Sequence, residues 1–302
     1  MVDKNVKTVT TLTPVKLLGL NAADKLAVKD VVDFATAAQG TVADSALQPG
    51  AVREKLTANR TYYVRSDGSD SNTGLANTSG GAFLTIQKAV DVAVSLDLSL
   101  YLINIQCDAA TRTSSIVLKS YIGIGPISII GDAVTPSNCV ISTTSASCFT
   151  GTDVGRWTVQ GFKIQTTTSG EGFFIIGKSD LTLKNIDYGV MASGGSHHAI
   201  YNGARVNRTA GFTISGGGYN HIAAVNGYFT SAGMAGVITG TPAFSNAYVN
   251  ISRGSGATIT DTYTGTATGK LYDVSLNSWL LSGGTTMPGN SAGSTATGGQ
   301  YA

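Results

Sequence analysis

Charge is what this chain of 302 residues has little of. Charged side chains make up 13% of it, 20 basic against 18 acidic, for a net charge of +2. A protein that neutralises nucleic-acid phosphates needs a dense basic face, so that class is excluded. Long apolar runs are missing too. No stretch approaches the roughly 18 apolar residues of a membrane-spanning helix. The start, MVDKNVKTVTTLTP, has no apolar segment of a secretory signal. The expectation is synthesis in a cytoplasm and no membrane insertion. Cysteine is scarce: Cys107, Cys139 and Cys148 are an odd number without metal-site spacing. They read as small buried hydrophobes, with an intersubunit disulfide as the alternative. No metal and no cofactor is expected.

What replaces charge is Gly, Thr, Ser and Asn, and mean hydropathy is only +0.13. The distribution is uneven. Residues 1–60 hold 14 of the 38 charged side chains and 3 of the 38 glycines. That break is the domain boundary. Within the first part, NAADKLAVKDVVDFAT (21–36) predicts a helix, with Leu26, Val28, Val31, Val32 and Ala35 on one face. AAQGTVADSALQPGAV reads as a linker or a short broken helix. So slender a segment needs copies of itself or a partner to bury a core.

Tyr62–Arg65 predicts a short strand, and SDGSDSNTG after it is dense in turn formers. Asp67, Asp70 and Asn72 partly match a calcium loop but lack its distal Glu; side chains bonding their own turns is the plainer reading. AFLTIQKAVDVAVSL then predicts a helix over 84–96. Thr85 is its cap, and Ile86, Ala89, Val90, Ala93 and Val94 form one apolar stripe.

After residue 100 the period becomes two. Segments such as YLINIQC, SSIVLKS, WTVQGFKIQ, LTLKNIDYG and AYVNIS are short, β-branched or aromatic, and end at Gly, Ser, Asn or Asp. A loose pattern, apolar-x-apolar-x-(Gly/Asn), recurs at Trp157–Gly161, Leu181–Asn185 and Phe212–Gly216. Its irregular intervals suit coils of roughly 20–30 residues. No helical segment separates the strands, which argues against βαβ units. Short strands without Asn-Gly hairpin turns favour a β-solenoid over a sandwich. Such a stack exposes a hydrogen-bonding end that would recruit other strands. The helix at 84–96 is expected to cap it. Trp157, Phe162, Phe173, Phe174 and Phe212 read as core stacks.

YYVRSDGSDSNTG followed by AFLTIQKAVDVA, and the ISIIGDAVTPSNCVIST stretch, resemble the pectate-lyase-like right-handed β-helix of bacteriophage and prophage tail fibre and tailspike proteins. The last 36 residues resemble the ends of phage fibre-like proteins, and AAQGTVADSALQPG their connectors to a virion anchor. The resemblance implies an all-β, right-handed parallel β-helix, capped by an N-terminal helix and assembled as a homotrimer on the virion surface. The expected organisation is an attachment and oligomerisation segment at 1–60, a capped β-helix at 61–253, and a closing β-structured region at 254–302. The implied partners are further copies of the chain, tail or collar proteins, and host-surface polysaccharide. Synthesis would be in the bacterial host cytoplasm.

Three functions follow as expectations: adhesion to a surface glycan, a polysaccharide depolymerase, or a purely structural fibre. Glycoside hydrolysis needs two carboxyls about 5–9.5 Å apart. Between Gly125 and Gly256 there are only Asp132, Asp153, Glu171, Asp180 and Asp187. Asp132 and Asp153 read as turn residues, and Lys178 is positioned to neutralise Asp180. This leaves Glu171, Asp180 and Asp187 as catalytic candidates. A second cluster holds Tyr188, His197, His198, Tyr201, Arg205, Arg208, Tyr219, His221 and Tyr228. Adjacent strand residues point to opposite faces, which weakens metal binding by His197 and His198. There is no elbow motif for a nucleophile triad. The nine could form a shallow sugar-binding face, aromatic rings on apolar sugar faces and Arg on acidic groups, or be ordinary loop and stacking residues.

Overall fold

The computed structural model describes residues 53–302 and, before them, two strands, Lys16–Leu20 and Leu26–Asp30. The chain divides into two compact units, Met1–Arg53 and Glu54–Ala302. In the first, the two strands pair antiparallel, with Leu17 opposite Lys29 and Leu18 opposite Val28. Across residues 26–30 this corrects the helix expected over 21–36. A short apolar pattern serves either period, and the neighbouring strand KLLGL decides between them. The rest of that segment and the connector at 37–52 lie outside the described residues.

The second unit is an all-β parallel solenoid of the right-handed type, with about eight turns. Its strands form three sheets of ten, seven and eight strands, here sheets I, II and III. Each full coil adds one strand to each sheet in turn. Gly155–Gln160, Lys163–Ser169 and Phe173–Ile176 make one coil. Ser179–Lys184, Asp187–Tyr188 and His198–Tyr201 make the next. Residues in register therefore stack in columns. On sheet I one inward column runs Ile103, Ile127, Trp157, Leu181, Val206, Phe229, Ala257 and Leu280. All of them are buried. A fully buried aliphatic or phenyl side chain contributes on the order of 1.5–3 kcal/mol, so one column carries much of the core.

The pattern at Trp157–Gly161 and Leu181–Asn185 is one such repeat, because Trp157 and Leu181 are in register. It ends where the chain turns a corner with left-handed backbone, φ 73° at Gly161 and 49° at Asn185. Gly and Asn tolerate that region best. A Cβ on Gly161 would also meet the Asp132–Ala133 backbone within 3 Å. The third copy is corrected: Phe212–Ile214 belongs to sheet II, and Val206 follows Leu181 in the column.

Other differences are local. Parallel pairing does not stop at 253; Gly256–Ile259, Trp279–Leu281 and Gln300–Tyr301 continue sheet I. At the other end, Leu56 is already buried and Lys55 bridges to Asp97. The boundary thus sits at residue 53, not 60. Phe174 is half-buried on the outer face of sheet III, while Trp157, Phe162, Phe173 and Phe212 are core. All three cysteines are buried free thiols. Burial pushes the Cys107 thiol up to about 12. No sulfur is exposed for an intersubunit bond.

The helix spans Ile86–Val94 and packs on strands Arg60–Val64, Ile103–Cys107 and Ile116–Val117. Ile86, Ala89, Val90 and Ala93 are buried; Val94 is half-buried against the same core. The Thr85 hydroxyl accepts from the Lys88 N–H at 3.1 Å. Asp70 accepts from the Leu84 and Thr85 N–H groups at 3.0 and 2.9 Å and from the Thr85 hydroxyl at 2.8 Å. The Asn72 amide donates to the Ser79 and Ala82 carbonyls, and Asp67 pairs with Arg65. These polar groups are taken up by the turn itself.

Candidate functional site

The nine residues of the expected sugar-binding cluster divide among three places. Tyr188, His197, His198, Arg208 and His221 are buried inside the solenoid. Tyr201 and Tyr219 belong to sheet III strands, with Tyr219 exposed and Tyr201 half-buried beside Phe174. Arg205 and Tyr228 lie on the outer face of sheet I. One shared surface for all nine is therefore ruled out. His197 immediately precedes the strand that His198 begins. It stands on a corner, where strict alternation does not hold, so both rings point inward.

The buried five form the centre of a polar cluster with Asp261. Arg208 takes an inward position that Leu183 fills one coil earlier and Ser231 one coil later. Its Nη1 lies 3.3 Å from Asp261 Oδ2. Asp261 also accepts from the Ser231 hydroxyl at 2.6 Å and the Met234 N–H at 3.0 Å. The guanidinium sits 3.6 Å over the Phe212 ring.

Arginine only donates, and this orients the neighbouring rings. Arg208 Nη2 donates to His221 Nε2 at 2.8 Å, so the His221 proton is on Nδ1. That N–H donates to His197 Nδ1 at 2.8 Å. His197 then carries its proton on Nε2 and donates to the Gly189 carbonyl at 2.7 Å. Burial pushes His197 down to about 4 and lowers His198 and His221 well below the usual imidazole range; the Arg208 charge adds to this. All three rings are neutral at pH 7. His198 stacks on Phe173 at 5.5 Å and 13°, and neither of its nitrogens has a partner. The cluster is closed to ligands and belongs to the core.

The outer face of sheet I is different. Its register puts Arg156, Asp180, Arg205, Tyr228, Gly256 and Trp279 in one outward column. Beside it runs Ser128, Thr158, Thr182, Asn207, Thr230 and Thr258. Adjacent strands are about 4.8 Å apart, so Arg156 to Trp279 spans roughly 24 Å. A Cβ on Gly256 would meet the Trp279 indole at 2.4 Å, so the missing side chain makes room for the ring over Gly256. The Arg205 guanidinium lies 5.5 Å over the Tyr228 ring. Arg156 Nη2 donates to the Ile124 carbonyl at 2.6 Å, and Asn207 donates to Asp180 Oδ1 at 2.8 Å. A cavity of about 190 Å³ opens between Pro126, Arg156, Thr158, Asp180 and Thr182. Another, of about 270 Å³, lies at Trp279, Leu281 and Gln300. Aromatic rings and guanidinium groups in one column, with a hydroxyl row beside it, can contact apolar faces and planar acidic groups of a ligand.

The three catalytic candidates separate. Asp180 is on a sheet I strand, Asp187 on sheet II, and Glu171 just before a sheet III strand. Asp180 is bonded by Asn207 rather than by Lys178. Asp187 is nearly buried, 3.6 Å from Lys163 and 2.5 Å from the Ser215 hydroxyl. Glu171 accepts from the Ser196 N–H, and burial raises its carboxyl. Asp132 and Asp153 hold turns, as their positions suggested. Three carboxylates on three sheets do not flank one glycosidic bond.

Arg156, Gly256 and Trp279 were not singled out from sequence. The signal was the spacing: Arg156, Asp180, Arg205 and Tyr228 recur at 23 to 25 residues, one coil apart. No protein-family model matches the chain, and neither a curated protein nor a solved structure matches it significantly.

Proposed function

We propose that this chain is a glycan-binding β-solenoid that holds a carbohydrate along the outer column of sheet I without cutting it. The observation that supports this is the Trp279 ring laid on Gly256, in line with Tyr228, Arg205, Asp180 and Arg156. In the reading taken from the sequence resemblance, the chain is part of a bacteriophage virion appendage. Its partners are then two further copies, tail or collar proteins engaged through the N-terminal segment, and host-surface polysaccharide. The helix at Ile86–Val94 serves as the cap of the first coil. Sedimentation of the purified chain measures the trimer; a monomer at micromolar concentration rejects it.

The test of binding is size-exclusion chromatography of surface polysaccharide with and without the protein. Unchanged polysaccharide eluting with the protein is the expected result. Shortened polysaccharide makes the protein a depolymerase. A purely structural fibre is the second reading, favoured by burial of Tyr188, His197, His198, Arg208 and His221. It predicts separate elution and no change in Trp279 fluorescence.

A further inference from the structure

On the glycan-binding reading, the chemistry of the sheet I column also selects the kind of sugar. The outward charges on strands Gly155–Gln160, Ser179–Lys184 and Arg205–Arg208 are Arg156, Lys184 and Arg205 against Asp180. The strands beyond them, Tyr228–Ser231, Gly256–Ile259 and Trp279–Leu281, carry no charge at all. The face is thus cationic at one end and aromatic at the other. Arg205 stands at the junction.

Its guanidinium is exposed and has no hydrogen bond or ion pair among the described residues; stacking over Tyr228 is the contact that orients it. Asp180, one coil away, is engaged by Asn207. An arginine held by an aromatic face keeps its planar fork of donors free, and less freedom is lost when a ligand binds. The group that matches the fork is a planar carboxylate taken bidentately. Three strand spacings further along the sheet, about 14 Å from the Arg205 strand, Trp279 offers a platform for an apolar sugar face.

We propose that the ligand is an acidic polysaccharide, one whose sugars carry carboxylates, with a carboxylate on Arg205 and a ring further along the same chain on Trp279. Sugar rings alone account for Trp279 and Tyr228; they do not account for an unpaired, pre-oriented Arg205 beside Tyr228.

The experiment uses the full chain and three carboxylated polymers: polygalacturonate, hyaluronan and polysialate. Each is compared with its carboxyl-esterified form by affinity gel electrophoresis at fixed salt. At least one acid form is expected to bind tenfold or more tightly than its ester. Arg205→Gln brings that ratio near one while keeping the ester affinity, and Arg205→Lys restores part of it. Trp279→Ala weakens both forms alike. Equal binding of acid and ester, or a ratio unchanged in Arg205→Gln, overturns the acidic-ligand inference and leaves the glycan-binding reading standing. Binding of none of the six polymers overturns the inference and counts against the reading itself. An acid preference that survives Arg205→Gln but vanishes in Lys184→Gln moves the site off this column and rejects it as well.

Discussion

Arg208 follows Ile105, Ile129, Val159 and Leu183 in an inward column, and it forms an ion pair with Asp261. Removing one partner leaves the other charge buried and uncompensated, which costs about 3–5 kcal/mol. Asp261→Ala is expected to lower stability by that amount in urea titration. Replacing both, as Arg208→Met with Asp261→Leu, should recover most of the loss, since apolar pairs of similar volume are often neutral there. An Asp261→Ala variant as stable as the parent would show that the charge is not confined as the geometry has it. Sequence marked Arg208 and the histidines as chemically unusual, but not which way they face. On a corner, that depends on the turn, and turns are set by contacts with the next coil.

At the scale of elements, the helix was the most legible part. Its stripe at 86, 89, 90 and 93 is the face that is buried, and Thr85 is its cap. Thr85→Ala is expected to cost about 1 kcal/mol. Val90→Asp should cost several times more, because it sets an unpaired carboxylate against the first coils. Full thermal stability of Val90→Asp would remove the capping argument. Strands after residue 100 were legible as strands, and their parallel stacking as a preference over a sandwich. Register was not: Phe212 fits the same local pattern as Trp157 and Leu181 yet pairs in another sheet. Segment 26–30 fits a helix locally and is a strand in fact. In both cases the deciding partner lies elsewhere in the chain.

For the whole molecule, acid is the informative variable. The buried histidines have folded pKa values below the unfolded value near 6.5, with His197 at about 4. Between those values the unfolded chain binds protons that the folded one refuses. Their contribution is therefore present above about pH 6.5 and lost as pH falls towards 4. For His197 alone the shift amounts to about 3 kcal/mol. Glu171, raised by burial, acts in the opposite sense but is one group against three. Thermal melting at pH 7, 5.5 and 4 should show a steep fall, flattened in His197→Gln. A melting temperature constant over that range would contradict the neutral-histidine core. A chain lacking residues 1–53 should remain soluble, with the far-UV signature of the solenoid, because Glu54–Ala302 is a compact unit with its own core. Cutting at 60 instead removes the buried Leu56 and strand residue Arg60 and should be visibly less stable.

Composition and period two after residue 100 were enough to determine an all-β body with an amphipathic helix near its head and to favour a solenoid, because those patterns are local and repeat many times. What stands inside and outside was decided only by the folded coils. Stacking joins residues 21 to 43 positions apart, and the offset changes from coil to coil with loop length. That is why the histidines became core and the three carboxylates parted. It is also why Arg156, Arg205, Tyr228 and Trp279, unremarked together in the chain, line up on one face.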